Sequence, residues 1–271
     1  MSYRDAVAQT QAYSAFFSFP LRPEETHRWL ISDKKISITT LKPYLSNLSP
    51  KNEKKRLQLT QNTLTKEKIA LNFVNLVHFL PGIEMIALTG SVAVGNTHTG
   101  DDIDLLIVTT PHTLWLVRPF LLLLLTCKFH RRHPGDNPRQ IQNSFCPNLW
   151  LDTQSLTIPK AKQNLYTAHE VLQIKPLFDR GGVYSRFLRA NRWTGHFLAN
   201  AYFELSTKAV SSPRPRSSSS LLAPLNLFSF LLQYLYMLPK KTTETVTLHS
   251  AFFHKNNLSS VITRHLENNC L

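Results

Sequence analysis

The sequence predicts an α+β fold in which a small mixed sheet with packed helices lies between two helical regions. Segments 86–88 and 105–108 are short, apolar and bounded by turn residues, as buried strands are. Apolar residues at helical spacing precede them over 65–80 and follow them over 114–127 and 163–173. A chain of 271 residues can form two or three domains. We therefore divide it into residues 1–62, 63–160 and 161–271.

The composition is that of a basic globular protein. Lys and Arg number 31 against 17 acidic residues, for a formal charge of +14 and a pI near 9.9. This balance favours polyanionic partners, either nucleotides, nucleic acid or an anionic membrane, without choosing among them. The three widely spaced cysteines support neither a disulfide framework nor a zinc site. Because the first residues lack the apolar core of a signal peptide, we expect a cytoplasmic protein.

Residues 1–62 contain three short helical patterns separated by breakers. The patterns cover 4–18, a segment that begins at Pro23, and 39–48. The following residues 54–59 are compatible with a short strand, or wing. The region is therefore expected to be either a winged-helix-like module or a purely structural helical cap.

The most informative motif lies at the predicted sheet. Gly90 and Ser91 close the first strand, and Asp102 and Asp104 begin the second. Residues at i and i+2 of a strand project from the same face, so both carboxylates point to one place. A glycine lets the backbone approach phosphate oxygens without a Cβ in the way. Carboxylate oxygens suit Mg²⁺, and metal pairs about 3.5–4 Å apart are a common device for phosphoryl transfer.

These residues resemble a known family. Segment 88–91 (LTGS), a ten-residue spacer and segment 102–105 (DIDL) are similar to the signature of the DNA polymerase beta-type nucleotidyltransferase superfamily. The resemblance covers about residues 84–110. It implies a nucleotidyltransferase sheet, metal ligation by Asp102 and Asp104, a Mg²⁺ or Mn²⁺ cofactor, and a nucleoside triphosphate held by Gly90 and Ser91. Residues 1–62 also loosely resemble the winged-helix-like region attached to some nucleotidyltransferase domains.

The superfamily usually carries a third carboxylate on a neighbouring strand, for which segment 145–152 is the candidate. Strand parity predicts that Asn148, Trp150 and Asp152 share one face. Asp152 is our candidate for the third catalytic carboxylate, although it ends the strand. Asn148 is the alternative occupant of that place, and its neutral amide cannot act as a base. A missing third carboxylate would leave nucleotide binding better supported than catalysis.

Cationic side chains for the phosphates are available after the second strand. Arg118 lies in the apolar helical segment 114–127 and is our leading candidate, because a guanidinium binds phosphate in fork geometry. A basic cluster follows at 129–133, to be interpreted either as a solvated loop or as a phosphate contact.

The C-terminal region 161–271 is predicted to be helical. On its first helix, His169 and Glu170 are polar residues that could line the cleft. Residues 209–220 are rich in Ser, Pro and Arg and predict a flexible loop. Segment 221–238 is mostly apolar, but polar residues within it disfavour a membrane span. We expect a buried or interfacial helix there.

The sequence thus favours a Mg²⁺-dependent nucleotidyltransferase that moves a nucleoside monophosphate from a triphosphate to an unknown acceptor hydroxyl. Nucleic acid is one candidate acceptor. The alternative is a catalytically degenerate, regulatory protein that binds nucleotide or nucleic acid. A third hypothesis is a peripheral membrane protein anchored through 221–238.

Overall fold

A computed structural model describes residues 2–133, 135–208, 220–240, 242, 244–253 and 258–269. The helices of these residues are α1 (Tyr3–Phe16), α2 (Pro23–Arg28), α3 (Ile38–Leu41), α4 (Pro50–Val77), α5 (Gly90–Val94), α6 (Leu114–Lys128), α7 (Pro138–Ile141), α8 (Leu165–Leu172), α9 (Val183–Ala190), α10 (Ala199–Lys208), α11 (Ala223–Met237) and α12 (Leu258–Asn269). The strands are β1 (Ile83–Leu88), β2 (Ile103–Thr109), β3 (Phe145–Asp152), β4 (Lys175–Asp179), β5 (Thr245–Val246) and β6 (Ser250–Phe252).

The strands form one mixed sheet in the order β4-β1-β2-β3-β6-β5. Strand β1 pairs antiparallel with β2 and β4, whereas β2 and β3 are parallel. Strand β6 then pairs antiparallel with both β3 and β5. The predicted α+β class with a mixed sheet is therefore confirmed.

The prediction of a purely helical region over 161–271 is wrong in one respect, because this region supplies β4, β5 and β6. Their sequences give little strand signal. Strand β4 reads KPLFD, with a proline and charges at both ends, and β5 and β6 have two and three residues. Pairing with β1 and β3, rather than local preference, makes these segments strands.

The N-terminal region is helical, and the strand predicted over 54–59 is wrong. Helix α4 runs without a break for 28 residues from Pro50. It begins where the Ser49 hydroxyl accepts a hydrogen bond from the Asn52 amide and proline occupies the first turn. The helix predicted over 65–80 is the second half of α4, and the boundary proposed after residue 62 falls inside it. Described residues 2–62 contribute no strand to the sheet.

Each face of the sheet carries a hydrophobic core. On one face Leu105 and Ile107 pack against α4 and α6. On the other face Leu106 and Val108 pack against α8 and α9. A third cluster joins the two ends of the chain, since Tyr13 of α1 and Ile262 of α12 pack with Leu172 of α8.

Segment 221–238 forms α11, a helix of 15 residues that packs against α6. Among the described residues, no helix has both the length and the apolar character needed to cross a membrane. Of the loop predicted over 209–220, residues 209–219 lie outside the described residues.

Candidate functional site

The two aspartates of the motif converge at the start of β2. Asp102 immediately precedes the strand and Asp104 is its second residue. One carboxylate oxygen of each and the Cys146 Sγ of the parallel strand β3 all lie within 4.8 Å of one another. The spacing of Asp102 and Asp104 therefore produces the shared direction that was predicted.

Gly90 lies directly against this pair. It is the first residue of α5 and adopts φ +60°, a left-handed conformation that glycine tolerates best. A Cβ at this position would lie 2.5 Å from Asp104 Oδ2, which is closer than atoms can pack. Backbone and carboxylate thus approach each other because residue 90 has no side chain. The expected proximity of the Gly90 turn and Asp104 is confirmed.

Ser91 is held by the turn itself. Its hydroxyl donates to Asp101 Oδ2 at 3.0 Å, and the same oxygen accepts from the His98 amide at 2.8 Å. The buried Lys66 of α4 donates its ammonium to the Asp101 carbonyl at 2.8 Å and to Asn143 Oδ1 at 2.7 Å. Ser91 therefore adjoins the acidic pair, but its hydroxyl is engaged in supporting the chain that leads into β2.

Asn148 occupies the neighbouring position on β3. Its Nδ2 donates to Asp104 Oδ1 at 2.5 Å. Its Oδ1 is buried and has no hydrogen-bond partner among the described residues. The prediction that Asn148 and Trp150 share a face is wrong, because the β2–β3 register shifts by one residue and Trp150 packs in the core of the opposite face.

Asp152 is not brought to the pair, which corrects its assignment as the third carboxylate. It stands opposite Thr109, whereas Cys146 stands opposite Asp104. Five residues of strand separate the two positions, or about 17 Å. The Asp152 carboxylate instead accepts from the amides of the following turn and lies 2.7 Å from His249 Nδ1.

Arg118 is also placed elsewhere, contrary to its expected phosphate-binding role. It belongs to α6, which covers the sheet face opposite Asp104. Its guanidinium donates to Gln233 Oε1 at 2.9 Å and lies 4.9 Å from the Phe253 ring centroid. Burial lowers the Arg118 pKa to about 10. The cation at the site is Arg132 of the basic cluster, whose Nη1 lies 2.5 Å from Asp102 Oδ2.

Helix α8 contributes a third carboxyl group. Burial raises the pKa of Glu170 to about 7, while its hydrogen bond with Tyr166 acts in the opposite direction. Burial, then the charges of Asp102 and Glu170, raise the pKa of Asp104 well above its usual range. The effect of the Glu170 charge on the Asp104 pKa places Glu170 in the electrostatic environment of the pair. The sequence identifies Glu170 only as a polar residue of a possible cleft, because the approach of α8 to β2 is a tertiary contact.

A cavity of about 190 Å³ adjoins Gly90. Its walls come from the N-terminal helical region, from α5 and from α8. The side chains that line it are mainly aromatic and include Tyr13, Phe17, Trp29, Tyr166 and His169. Glu170 is the one carboxylic acid among its lining residues. The Phe17 and Tyr166 rings are 20° from parallel with centroids 6.5 Å apart. His169 is neutral because burial lowers its pKa to about 3, and its Nε2 has no hydrogen-bond partner among the described residues.

The donor set suits a hard cation better than a soft one. Asp102 and Asp104 supply carboxylate oxygens, and Asn148 holds a buried carbonyl oxygen without a partner in the described chain. The Cys146 pKa is raised by burial and by both aspartates, so its sulfur stays a thiol and a poor ligand.

Comparison with protein-family models, with curated proteins and with solved structures gives no match for this chain.

Proposed function

We propose that this protein is a nucleotidyltransferase that uses Mg²⁺ or Mn²⁺ to move a nucleoside monophosphate from a triphosphate to an acceptor hydroxyl. The observation that carries the proposal is the convergence of Asp102 and Asp104 on Gly90, where there is no room for a Cβ. A glycine backbone beside two carboxylates is what a metal-bound polyphosphate requires, because the metal and the phosphate oxygens must meet.

Asp102 and Asp104 would hold the metal, with Asn148 as a neutral oxygen ligand. Once bound, the cation would supply charge stabilisation for the phosphate oxygens. Arg132, which now pairs with Asp102, is our candidate cation for the departing pyrophosphate. It replaces Arg118 in that role.

The acceptor needs a group that takes its proton. The acceptor oxygen forms a bond to the α-phosphorus, the bond from this phosphorus to the pyrophosphate oxygen breaks, and the hydroxyl proton leaves. Glu170 is our candidate for the base in place of Asp152. Its pKa near 7 lies in the range where a general base is effective at neutral pH.

The aromatic cavity beside Gly90 would take the base of the nucleotide. Its volume, about 190 Å³, is below the 300–1,000 Å³ range of drug-sized sites, so it suits one ring system rather than a whole nucleotide. Aromatic ring faces stack on nucleobases, and the free Nε2–H of His169 suits a ring nitrogen or carbonyl acceptor.

A second candidate function is nucleotide binding without catalysis. Asn148 favours it, because this amide lies against Asp104 where the superfamily is expected to have a carboxylate. A regulatory protein could bind the triphosphate and leave it intact. The two candidate functions differ in the role of Glu170, because the transferase needs it as a base and the binding protein does not.

The test is transfer of label from an α-labelled nucleoside triphosphate to acceptors in a cell extract, with Mg²⁺ or Mn²⁺. We expect Asp104→Asn to abolish transfer, while Asp33→Asn, a control at an exposed position, retains it. We expect Glu170→Gln to bind triphosphate and transfer at least 100-fold more slowly. Wild-type protein that binds triphosphate but labels nothing would favour the regulatory candidate. If divalent metal plus triphosphate leaves the melting temperature unchanged, both candidates fail.

A further inference from the structure

Helix α11 directs its polar residues towards the protein. Asn226 Oδ1 accepts from the Trp115 amide at 2.9 Å. The Trp115 carbonyl accepts from the Ser229 hydroxyl and from Gln233 Nε2, both at 2.7 Å. The polar residues of α11 therefore form their hydrogen bonds with α6.

The opposite side of this helix pair is apolar and exposed. Leu225, Phe228, Leu232 and Leu235 of α11 are each between 55% and 63% exposed, and α6 adds Phe120 and Leu123 at 50% and 61%. We call these six residues the α6–α11 surface. A surface helix of a globular protein normally buries its apolar stripe and exposes its polar one. Helix α11 buries its polar stripe and leaves these four apolar residues exposed, while Phe230 and Met237 pack against the core.

The sequence segments that contain α6 and α11 carry charges of one sign. Segments 105–135 and 205–243, which contain α6 and α11, hold no Asp or Glu and nine Lys and Arg residues, of which Arg118 binds Gln233 and Arg132 pairs with Asp102. Within them, Arg214, Arg216, Lys240 and Lys241 flank α11 in the sequence. Clusters of basic residues beside an apolar helix are attracted to anionic lipid headgroups.

We propose that the α6–α11 surface docks this protein on an anionic lipid bilayer, with both helices lying in the plane of the interface. Each helix has 15 residues, a length of about 22 Å against a hydrocarbon core of about 30 Å. The helices therefore rest on the bilayer rather than cross it. Because α11 turns its amide and hydroxyl groups inward, the exposed face offers lipid tails few polar atoms to desolvate. The basic residues of these segments distinguish lipid from a second copy of this chain, which would bring like charges together.

Docking would leave the candidate site accessible. Helix α6 covers the sheet face built on Leu105 and Ile107, whereas Asp104 alternates with them and points to the other face. The proposal therefore stands independently of any nucleotidyltransferase activity.

The test is flotation of the full-length protein with phosphatidylcholine vesicles that contain either no phosphatidylglycerol or one third of it. We expect binding to the anionic vesicles that weakens at least tenfold between 0.1 M and 0.5 M salt. The variant Phe228→Gln with Leu235→Gln should bind these vesicles at least tenfold more weakly, because two apolar anchors are lost. Gln is a good helix former, and both positions are exposed, so the fold should survive.

The matched control is Phe79→Gln with Leu57→Gln. These residues have the same types and similar exposure, 64% and 61%, but lie outside the α6–α11 surface. The control should bind anionic vesicles as wild type does, with an unchanged circular dichroism spectrum in both variants. Equal loss in both variants, equal binding to uncharged vesicles, or no vesicle binding by wild type would overturn the proposal. A dimer in light scattering that only Phe228→Gln with Leu235→Gln dissociates, without lipid binding, would assign the surface to a second copy.

Discussion

At residue 90 the backbone conformation and the neighbouring carboxylate exclude every side chain. Gly90→Ala would place a Cβ 2.5 Å from Asp104 Oδ2 at a φ of +60°. A left-handed alanine costs about 1–2 kcal/mol, and relief of the clash must displace Asp104. We expect lower stability in urea unfolding and loss of metal-dependent triphosphate binding. Gly100→Ala is the control, since a Cβ there meets nothing within 4 Å. Unimpaired triphosphate binding by Gly90→Ala would contradict the role of this contact.

His169 predicts a pH dependence of folding. Its ring is buried and stacked on Tyr13 at 4.0 Å, and burial lowers its pKa to about 3. The unfolded chain takes up the proton near pH 6.5, so the unfolded state binds more protons between pH 6.5 and 3. The stability that neutral His169 contributes is present above pH 6.5 and is lost as the pH falls through this window.

The test compares wild type with His169→Phe, which keeps a ring but cannot titrate. From pH 7 to pH 5 we expect the free energy of unfolding of wild type to fall by about 2 kcal/mol relative to His169→Phe. His130→Phe, at an exposed position, is the control and should track wild type. Parallel pH curves for wild type and His169→Phe would contradict this role, because they would show that the pKa of His169 is the same in the folded and unfolded states.

Residues of the candidate site differ in how far the sequence could reveal them. Asp102, Asp104 and Gly90 follow from spacing within two adjacent strands, where local geometry decides direction. Glu170 and Arg132 reach the same place from α8 and from the loop after α6. No spacing in the sequence encodes those approaches, so the sequence alone points to Asp152 for the third carboxyl group and to Arg118 for the cation.

Among the elements, α4 supports the entry into β2 through one buried ammonium. Lys66 donates to the carbonyls of Thr99 and Asp101 and to Asn143 Oδ1. Lys66→Met would leave these oxygens without their donor and should destabilise the protein by about 3 kcal/mol. Hydrogen exchange of residues 97–103 should accelerate, because the turn before Asp102 loses its anchor. Lys68→Met, at an exposed position on the same helix, should change neither the stability nor the hydrogen exchange of this turn. Equal effects of both variants would contradict the role of Lys66.

Strand β3 shows where an element-level prediction fails. Alternation along an ideal strand places Asn148 and Trp150 on one face, but three residues of β3 match two of β2 before Leu149. The extra residue sends Asn148 towards Asp104 and Trp150 into the other core. A bulge depends on the pairing of two strands, so the sequence of one strand does not reveal it.

For the whole molecule, the α+β class follows from the strong local patterns of β1, β2 and α6. The presence of β4, β5 and β6 in the sheet does not follow from local patterns, because their pairing joins residues far apart in the chain. The same holds for the N-terminal helices. Their short amphipathic patterns suggested a separate module, yet α1 packs with α8 and α12 in one hydrophobic cluster.

This shared cluster predicts that the two ends of the chain unfold together. Tyr13 of α1, Leu172 of α8 and Ile262 of α12 are all buried in it, and α4 continues from the N-terminal region into the core of the sheet. Loss of α1 would expose apolar surface on both partners, which couples their stability.

In pulsed hydrogen exchange across a urea series, we expect amides of α1 and β2 to become labelled at the same midpoint. Ala201→Asp, which buries a charge in the cluster, should lower both midpoints equally, whereas Ala161→Asp, at an exposed position outside the cluster, should lower neither. Separate midpoints for α1 and β2 would instead show that residues 1–62 fold as an independent unit.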